Sequence, residues 1–250
     1  MIPKALFFDL DDTLSAFDSV CDDAWAACFA HFMQKYQPPF SLEALRETRA
    51  RFNHAFWSDE ANHKWGRERL TEARRIVVRG TLQALQFVDD AAAVDLADRY
   101  TQLQDDMLHL LPGVREALTE LRGMGLRMAV VTNGSSEAQR GKIARFGIDD
   151  FFEQLFIDSE VGYSKPDPRI FEHALHAMNL RPDEVWMTGD NLTWDMLGAQ
   201  RAGIFGVWND YRRLGLPNDA PAVPDLIIHS VTELPAHLAR LTRPKGPRRF

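Results

Sequence analysis

Apolar positions along this chain follow two rhythms. Short, nearly uninterrupted apolar runs occur at Ala5–Phe8 and at residues 128–131, 155–157, 185–187, 204–207 and 226–228. Each is rich in Val, Ile, Leu or Phe and is bounded by polar or turn residues, the pattern of strands buried on both faces of a parallel sheet. Between these runs the spacing changes to that of amphipathic helices. Residues 112–121 align Val114, Leu118 and Leu121 on one stripe, and Gly123 and Gly125 then stop the helix. Residues 135–146 run into Gly147, 168–178 into Asn179, and 192–202 into Gly203. Alternating strand and helix predict an α/β fold, a Rossmann-like parallel sheet with right-handed crossovers.

The rhythm breaks between residues 15 and 108, where no strand is read. Helical patterns at 25–36, 42–52, 67–85 and 91–108 fill the interval, with Pro38 and Pro39 as a break and Ser41 as the N-cap of the second. An interval of roughly 90 residues is too long for a loop. It reads as a helical module inserted after the first strand. The expected organisation is a core from residues 1–14 and 109–242, a helical insertion over 15–108, and a mobile basic tail over 243–250. That tail sets Arg243, Lys245, Arg248 and Arg249 among prolines and glycine, a composition that cannot pack.

Composition narrows the possible functions. A chain of 250 residues with 45% hydrophobic and 26% charged content can bury a substantial core. No apolar run approaches the ~18 residues needed to span a bilayer. Asp9 also ends the first apolar stretch before a secretory segment could form. A cytoplasmic protein with no membrane partner is therefore expected. The net charge of −7 lacks the clustered positive field of a nucleic-acid-binding surface. Cys21 and Cys28 share one predicted helix face and match neither a disulfide framework nor a zinc-ligand spacing.

Open parallel sheets bind ligands beyond the carboxyl ends of their strands. The residues just after each predicted strand are therefore informative. Asp9-Leu10-Asp11-Asp12-Thr13 comes after the first, Thr132-Asn133-Gly134-Ser135 after the second, and Gly189-Asp190 after the fourth, with Asp195 further on. Lys165-Pro166 lies in the loop after the third. Taken singly, each segment also fits a polar turn, a helix cap or a surface lysine. Together they bring acids, a hydroxyl and an ammonium to one edge. Asp9 and Asp11, two apart at a strand end, can point to one side. Two carboxylates ~4 Å apart repel by about 4 kcal/mol at an effective dielectric of 20, and Asp190 adds to that. A hard divalent cation such as Mg²⁺ would relieve it. Thr132, with free N–H groups at a helix start, suits an anion.

In this order the segments resemble the four motifs of the haloacid dehalogenase-like hydrolase superfamily. The likeness runs from Phe8 to about Gly206, and the helical insertion after the first motif resembles a C1-type cap. Ser164-Lys165-Pro166-Asp167-Pro168-Arg169-Ile170-Phe171 is similar to the same branch. The resemblance implies a Mg²⁺-dependent phosphatase acting on a small phosphorylated metabolite through an aspartyl-phosphate. Asp9 would be the nucleophile and Asp11 the general acid, then base. Thr132 and the backbone of Asn133 would hold the phosphoryl group, and Lys165 would neutralise charge. Asp9, the Asp11 carbonyl, Asp190 and Asp195 would serve the metal.

Dehalogenase members lack the second aspartate, which this chain has in Asp11. A phosphomutase and a non-catalytic phospho-ligand sensor stay open as alternatives. The cap is expected to close over the site and exclude water. Its His54, Trp57, His63, Trp65 and Arg69 could meet the rest of the substrate or simply hold the cap together. The substrate, oligomeric state and physiological role are not legible.

Overall fold

The computed structural model describes residues 2–59, 61–62, 65–66 and 69–242. His63 and the tail at 243–250 lie outside the described residues. The chain divides into two compact units: described residues up to Ala16 together with those from His109 onward, and Phe17–Leu108. No helix among the described residues is long and apolar enough to cross a membrane.

The first strand of the α/β unit is β1 (Ala5–Phe8), and a two-residue strand β2 (Ser15–Ala16) comes next. The helical unit comprises α1 (Asp18–Tyr36), α2 (Leu42–Ser58), α3 (Leu70–Ala84) and α4 (Asp90–Met107). Ser41 caps α2 as expected, its hydroxyl accepting from the Ala44 N–H at 3.1 Å, and Asp89 caps α4 in the same way. Phe29, Phe32, Leu45, Val78, Leu82 and Leu96 form its core. Trp25 stacks on Tyr100 at 3.8 Å between ring centres. Cys28 is buried on α1, and Cys21 accepts a contact from Gln104 at 2.9 Å. Trp57 and Trp65 pack against Phe56, Ala73 and Val77, Arg69 lies over the Trp65 ring, and His54 is exposed.

The α/β unit resumes with β3 (His109–Leu110), α5 (Val114–Gly123), β4 (Arg127–Thr132) and α6 (Ser136–Phe146). Then come β5 (Gln154–Ile157), the short α7 (Asp158–Val161), α8 (Pro168–Ala177) and β6 (Val185–Gly189). A π-helical turn, Leu192–Leu197, leads into α9 (Gly198–Arg201), then β7 (Phe205–Asn209), β8 (Leu226–Ile228) and α10 (Leu234–Thr242). The six-stranded parallel sheet has the order β5-β4-β1-β6-β7-β8.

β1 is central, so all four of its residues are buried. Leu6 and Phe8 face Val114, Leu118 and Leu121 of α5 and Leu234 and Leu238 of α10. Ala5 and Phe7 face Ile170, Phe171 and Ala174 of α8 and Ala199 of α9. Covering both faces explains the unbroken apolar runs, and each large side chain so buried stabilises the sheet by about 1.5–3 kcal/mol. Two expectations are corrected. Ser15–Ala16 and His109–Leu110 pair as an antiparallel ribbon too short to show any alternation. Residues 192–202 are not one regular helix, because the turn opens into π geometry around Asp195.

Candidate active site

All seven residues singled out from the sequence stand on the α/β unit, at or just beyond the carboxyl ends of β1, β4, β5 and β6. Asp9 comes directly after β1, and its N–H donates to the Thr188 carbonyl of β6 at 2.9 Å, which prolongs the ladder by one residue. Asp190 stands just past β6. Asp195 is brought back by the π-helical turn, where one of its oxygens accepts from the Asn191 N–H at 3.0 Å. Gly189 makes this return feasible, since a Cβ there would lie 2.2 Å from a carboxylate oxygen of Asp195. Asp9, Asp190 and Asp195 each present a carboxylate oxygen, and the three oxygens lie within 4.8 Å of one another.

Lys165 enters this cluster from the loop before α8. Its ammonium donates to Asp9 and to Asp195, each at 2.6 Å. It is held there by a reciprocal pair that the sequence did not disclose. The Lys165 N–H donates to Asn133 Oδ1 at 2.9 Å, and Asn133 Nδ2 donates to the Lys165 carbonyl at 3.0 Å. Asp158 ties the same loops together, accepting from the Gly134 N–H and from the Ser164 hydroxyl, each at 2.7 Å. Asn133 thus acts through its side chain as well as standing at the strand end.

The electrostatics are lopsided. Three carboxylates face one ammonium, which leaves two negative charges uncompensated when all are ionised. Burial is the main force on Asp9; Asp195 adds to it and Lys165 opposes it, so the carboxyl is pushed up to about 7. Burial, with Asp195, Asp9 and Asp12 behind it, pushes Asp190 up to about 9. Burial pulls the Lys165 ammonium down, but Asp195 and Asp9 more than offset this and hold it above the usual lysine range. The Asp190 carboxylate has no hydrogen-bond or ion-pair partner among the described residues. An unpartnered carboxylate in an all-oxygen cluster with excess negative charge suits a hard divalent cation.

Asp11 is placed differently. Its carboxylate accepts from Lys142 of α6 at 2.6 and 2.7 Å, from Gln139 at 3.3 Å and from Ser15 at 3.3 Å. Gln139 also donates to the Thr132 hydroxyl at 2.8 Å and to the Asn133 carbonyl at 2.9 Å. Thr132, Asn133 and Asp11 are therefore joined by one amide. Neither Gln139 nor Lys142 was singled out from the sequence. The only signal available was their spacing of three on a helix that begins at the strand carrying Thr132.

Residues 3–203 match the family description "haloacid dehalogenase-like hydrolase". The chain is 30% identical over 257 aligned positions to a glyceraldehyde 3-phosphate phosphatase of Pyrococcus furiosus, covering 97% of this chain and 95% of that one. It is 41% identical over 216 positions to a phosphoserine phosphatase of Thermus thermophilus, covering 84% and 76%. Among solved structures, a 2-haloacid dehalogenase from Pseudomonas syringae superposes with a TM-score of 0.64 at 28% identity, covering 97% of this chain and all of the other.

Proposed function

The chain belongs to the haloacid dehalogenase-like hydrolases, and on that premise we propose that it hydrolyses small phosphomonoesters through a phosphoryl group carried on Asp9. The convergence of Asp9, Asp190, Asp195 and Lys165 carries this reading. Phosphate esters are among the slowest substrates to hydrolyse unaided, so charge compensation and positioning supply most of the catalysis. Asp9, Asp190 and Asp195, with the Asp11 carbonyl, are the groups that would hold Mg²⁺. When bound, the ion would offset the negative charge of those carboxylates and of the phosphoryl oxygens.

The chain's own residues account for the bond changes. The Asp9 carboxylate attacks phosphorus, the ester P–O bond breaks, and Asp11 gives its proton to the departing oxygen. Lys165 stays charged beside Asp9 and faces the phosphoryl oxygens. Water then attacks the phosphorus and passes a proton to Asp11, and inorganic phosphate leaves as Asp9 is restored. Thr132 orients the phosphoryl group throughout. The presence of Asp11 favours an ester over a carbon–halogen bond, because an alkoxide leaving group needs a proton and a halide does not. The helical unit is read as the substrate-selecting cap of the family.

Turnover of a broad panel of phosphorylated metabolites, measured with and without Mg²⁺ after chelation, tests the assignment. Phosphate release should depend on the ion, and Asp9→Asn should lower it at least ~10³-fold, as expected when a covalent nucleophile is lost. Near-normal rates in Asp9→Asn would rule out the covalent route. Halide release from a 2-haloacid without phosphatase activity would replace the assignment altogether.

A further inference from the structure

Lys142 forms an ion pair with Asp11, while Lys165 bonds Asp9 and Asp195. Gln139 and Lys142 lie three apart on α6 and both are buried, at 2% and 8% exposure. An ammonium is seldom buried without an anionic partner, and this one sits on both oxygens of a single carboxylate at 2.6 and 2.7 Å. Gln139 closes a second link, from Asp11 to the Thr132 hydroxyl and the Asn133 carbonyl. Room for that amide is bounded by Gly134, whose φ of +146° suits glycine and whose missing Cβ would stand 3.1 Å from Gln139. Asp11 is thereby fixed in position relative to the hydroxyl at the end of β4.

We propose that Lys142 is a positioning residue for the phosphatase reaction: it holds the Asp11 carboxylate where that group meets the leaving oxygen. The inference rests on the phosphatase reading of the site. Lys142 itself neither gives nor takes a proton; it acts through Asp11. Its removal leaves Asp9, Lys165 and the metal-ligand set in place but frees the proton donor to rotate. Esters whose leaving group needs a proton should therefore suffer most.

The test uses kcat/KM, which reports the steps through departure of the leaving group. It is measured for 4-nitrophenyl phosphate, a good leaving group, and for an alkyl phosphate, a poor one. Lys142→Met should lower the alkyl value on the order of 10-fold more than the aryl value, a part of the 10²–10⁴-fold that general acid catalysis contributes. Lys142→Arg should recover part of that difference. In an Asp11→Asn background, Lys142→Met should add less than ~2-fold, because the group it positions is already gone. Equal losses on both esters, or full additivity with Asp11→Asn, would overturn the proposal. Lys142→Leu, which likewise cannot donate to Asp11, gives the same reading if the Met variant folds poorly. Turnover by the unsubstituted chain reads the phosphatase assignment separately, so equal losses with an active parent count against Lys142 alone.

Discussion

Two lysines are buried at the same edge of the sheet, and both bond carboxylates at 2.6 Å, yet their surroundings differ in kind. Lys165 is shared between Asp9 and Asp195, with Asp190 left over. Lys142 is paired with Asp11, and the other side-chain hydrogen bonds to that carboxylate come from the neutral Gln139 and Ser15. A buried cluster with unmatched charge is expensive to leave as it is, since a pair of like charges ~4 Å apart costs about 4 kcal/mol even at an effective dielectric of 20. Such a cluster suits a ligand that brings the missing positive charge. In the Lys142–Asp11 pair an ammonium already faces the carboxylate, and on the reading proposed above its contribution is orientation. On the proposed phosphatase reading, Lys165 acts on the phosphoryl group and Lys142 sets the proton donor.

The largest expected effect that would sharpen this contrast comes from Lys165→Met. Removing the shared ammonium takes away charge stabilisation in every phosphoryl-transfer step, for which losses of ~10²–10³ in kcat are typical. Because the phosphoryl group is common to all esters, aryl and alkyl phosphates should lose alike, unlike the split expected for Lys142→Met. An alkyl-selective loss in both variants would erase the difference between the two lysines. A smaller effect is expected from Gly189→Ala. The new Cβ would lie 2.2 Å from the Asp195 carboxylate, so Asp195 must turn away from Lys165 and from the Asn191 N–H. Displacing one of the groups proposed to hold the ion should cost at least the ~10–100-fold in metal affinity typical of the groups that merely support such ligands. Titration with Mg²⁺ should show that weakening with no change in leaving-group preference. Unaltered Mg²⁺ dependence would show that Asp195 is not needed in its place.

Most of this edge could be read in advance because Asp9, Thr132, Asn133 and Asp190 lie at or directly after the end of an apolar strand. Ala5–Phe8 ends at Asp9, and β6 ends next to Asp190; strand burial and site placement are then one pattern. Features carried on helix faces were less legible. Lys142 lies 131 residues from Asp11, and nothing in the spacing of α6 says which of its polar residues turns inward. The Asn133 side chain escaped for a related reason: the strand-end position suggested its backbone, while its amide clamps Lys165 from 32 residues away. The π-helical turn at Leu192–Leu197 has the same apolar spacing as an ordinary helix and differs only in where it delivers Asp195.

Asp190 offers the smallest effect and the most direct reading of unmatched charge. Without metal its carboxyl is pushed up to about 9, chiefly by burial and then by Asp195, Asp9 and Asp12. A folded-state value above the unfolded one means that the folded protein binds the proton more tightly. That contribution to stability is full below the ordinary aspartate range and is lost as pH rises through about 9. Asp9, pushed up to about 7, acts with the same sign over a narrower window. Through these two groups the metal-free chain should therefore melt at lower temperature at pH 8.5 than at pH 6. Asp190→Asn removes the larger contribution and should raise the metal-free melting temperature at the higher pH. Relieving one unpartnered buried group is worth about 1–3 kcal/mol, and each kcal/mol shifts melting by ~2–4 °C in a chain of this size. Saturating Mg²⁺ should invert the order, because binding to the folded state stabilises the parent by mass action, while the variant lacks a carboxylate proposed to hold the ion. Calorimetry at the two pH values, with chelator and with Mg²⁺, reads all four states. A metal-free Asp190→Asn protein that melts below the parent at pH 8.5 would mean that this carboxylate is already compensated within the fold, and the cluster around Lys165 would then be no different in kind from the pair at Lys142.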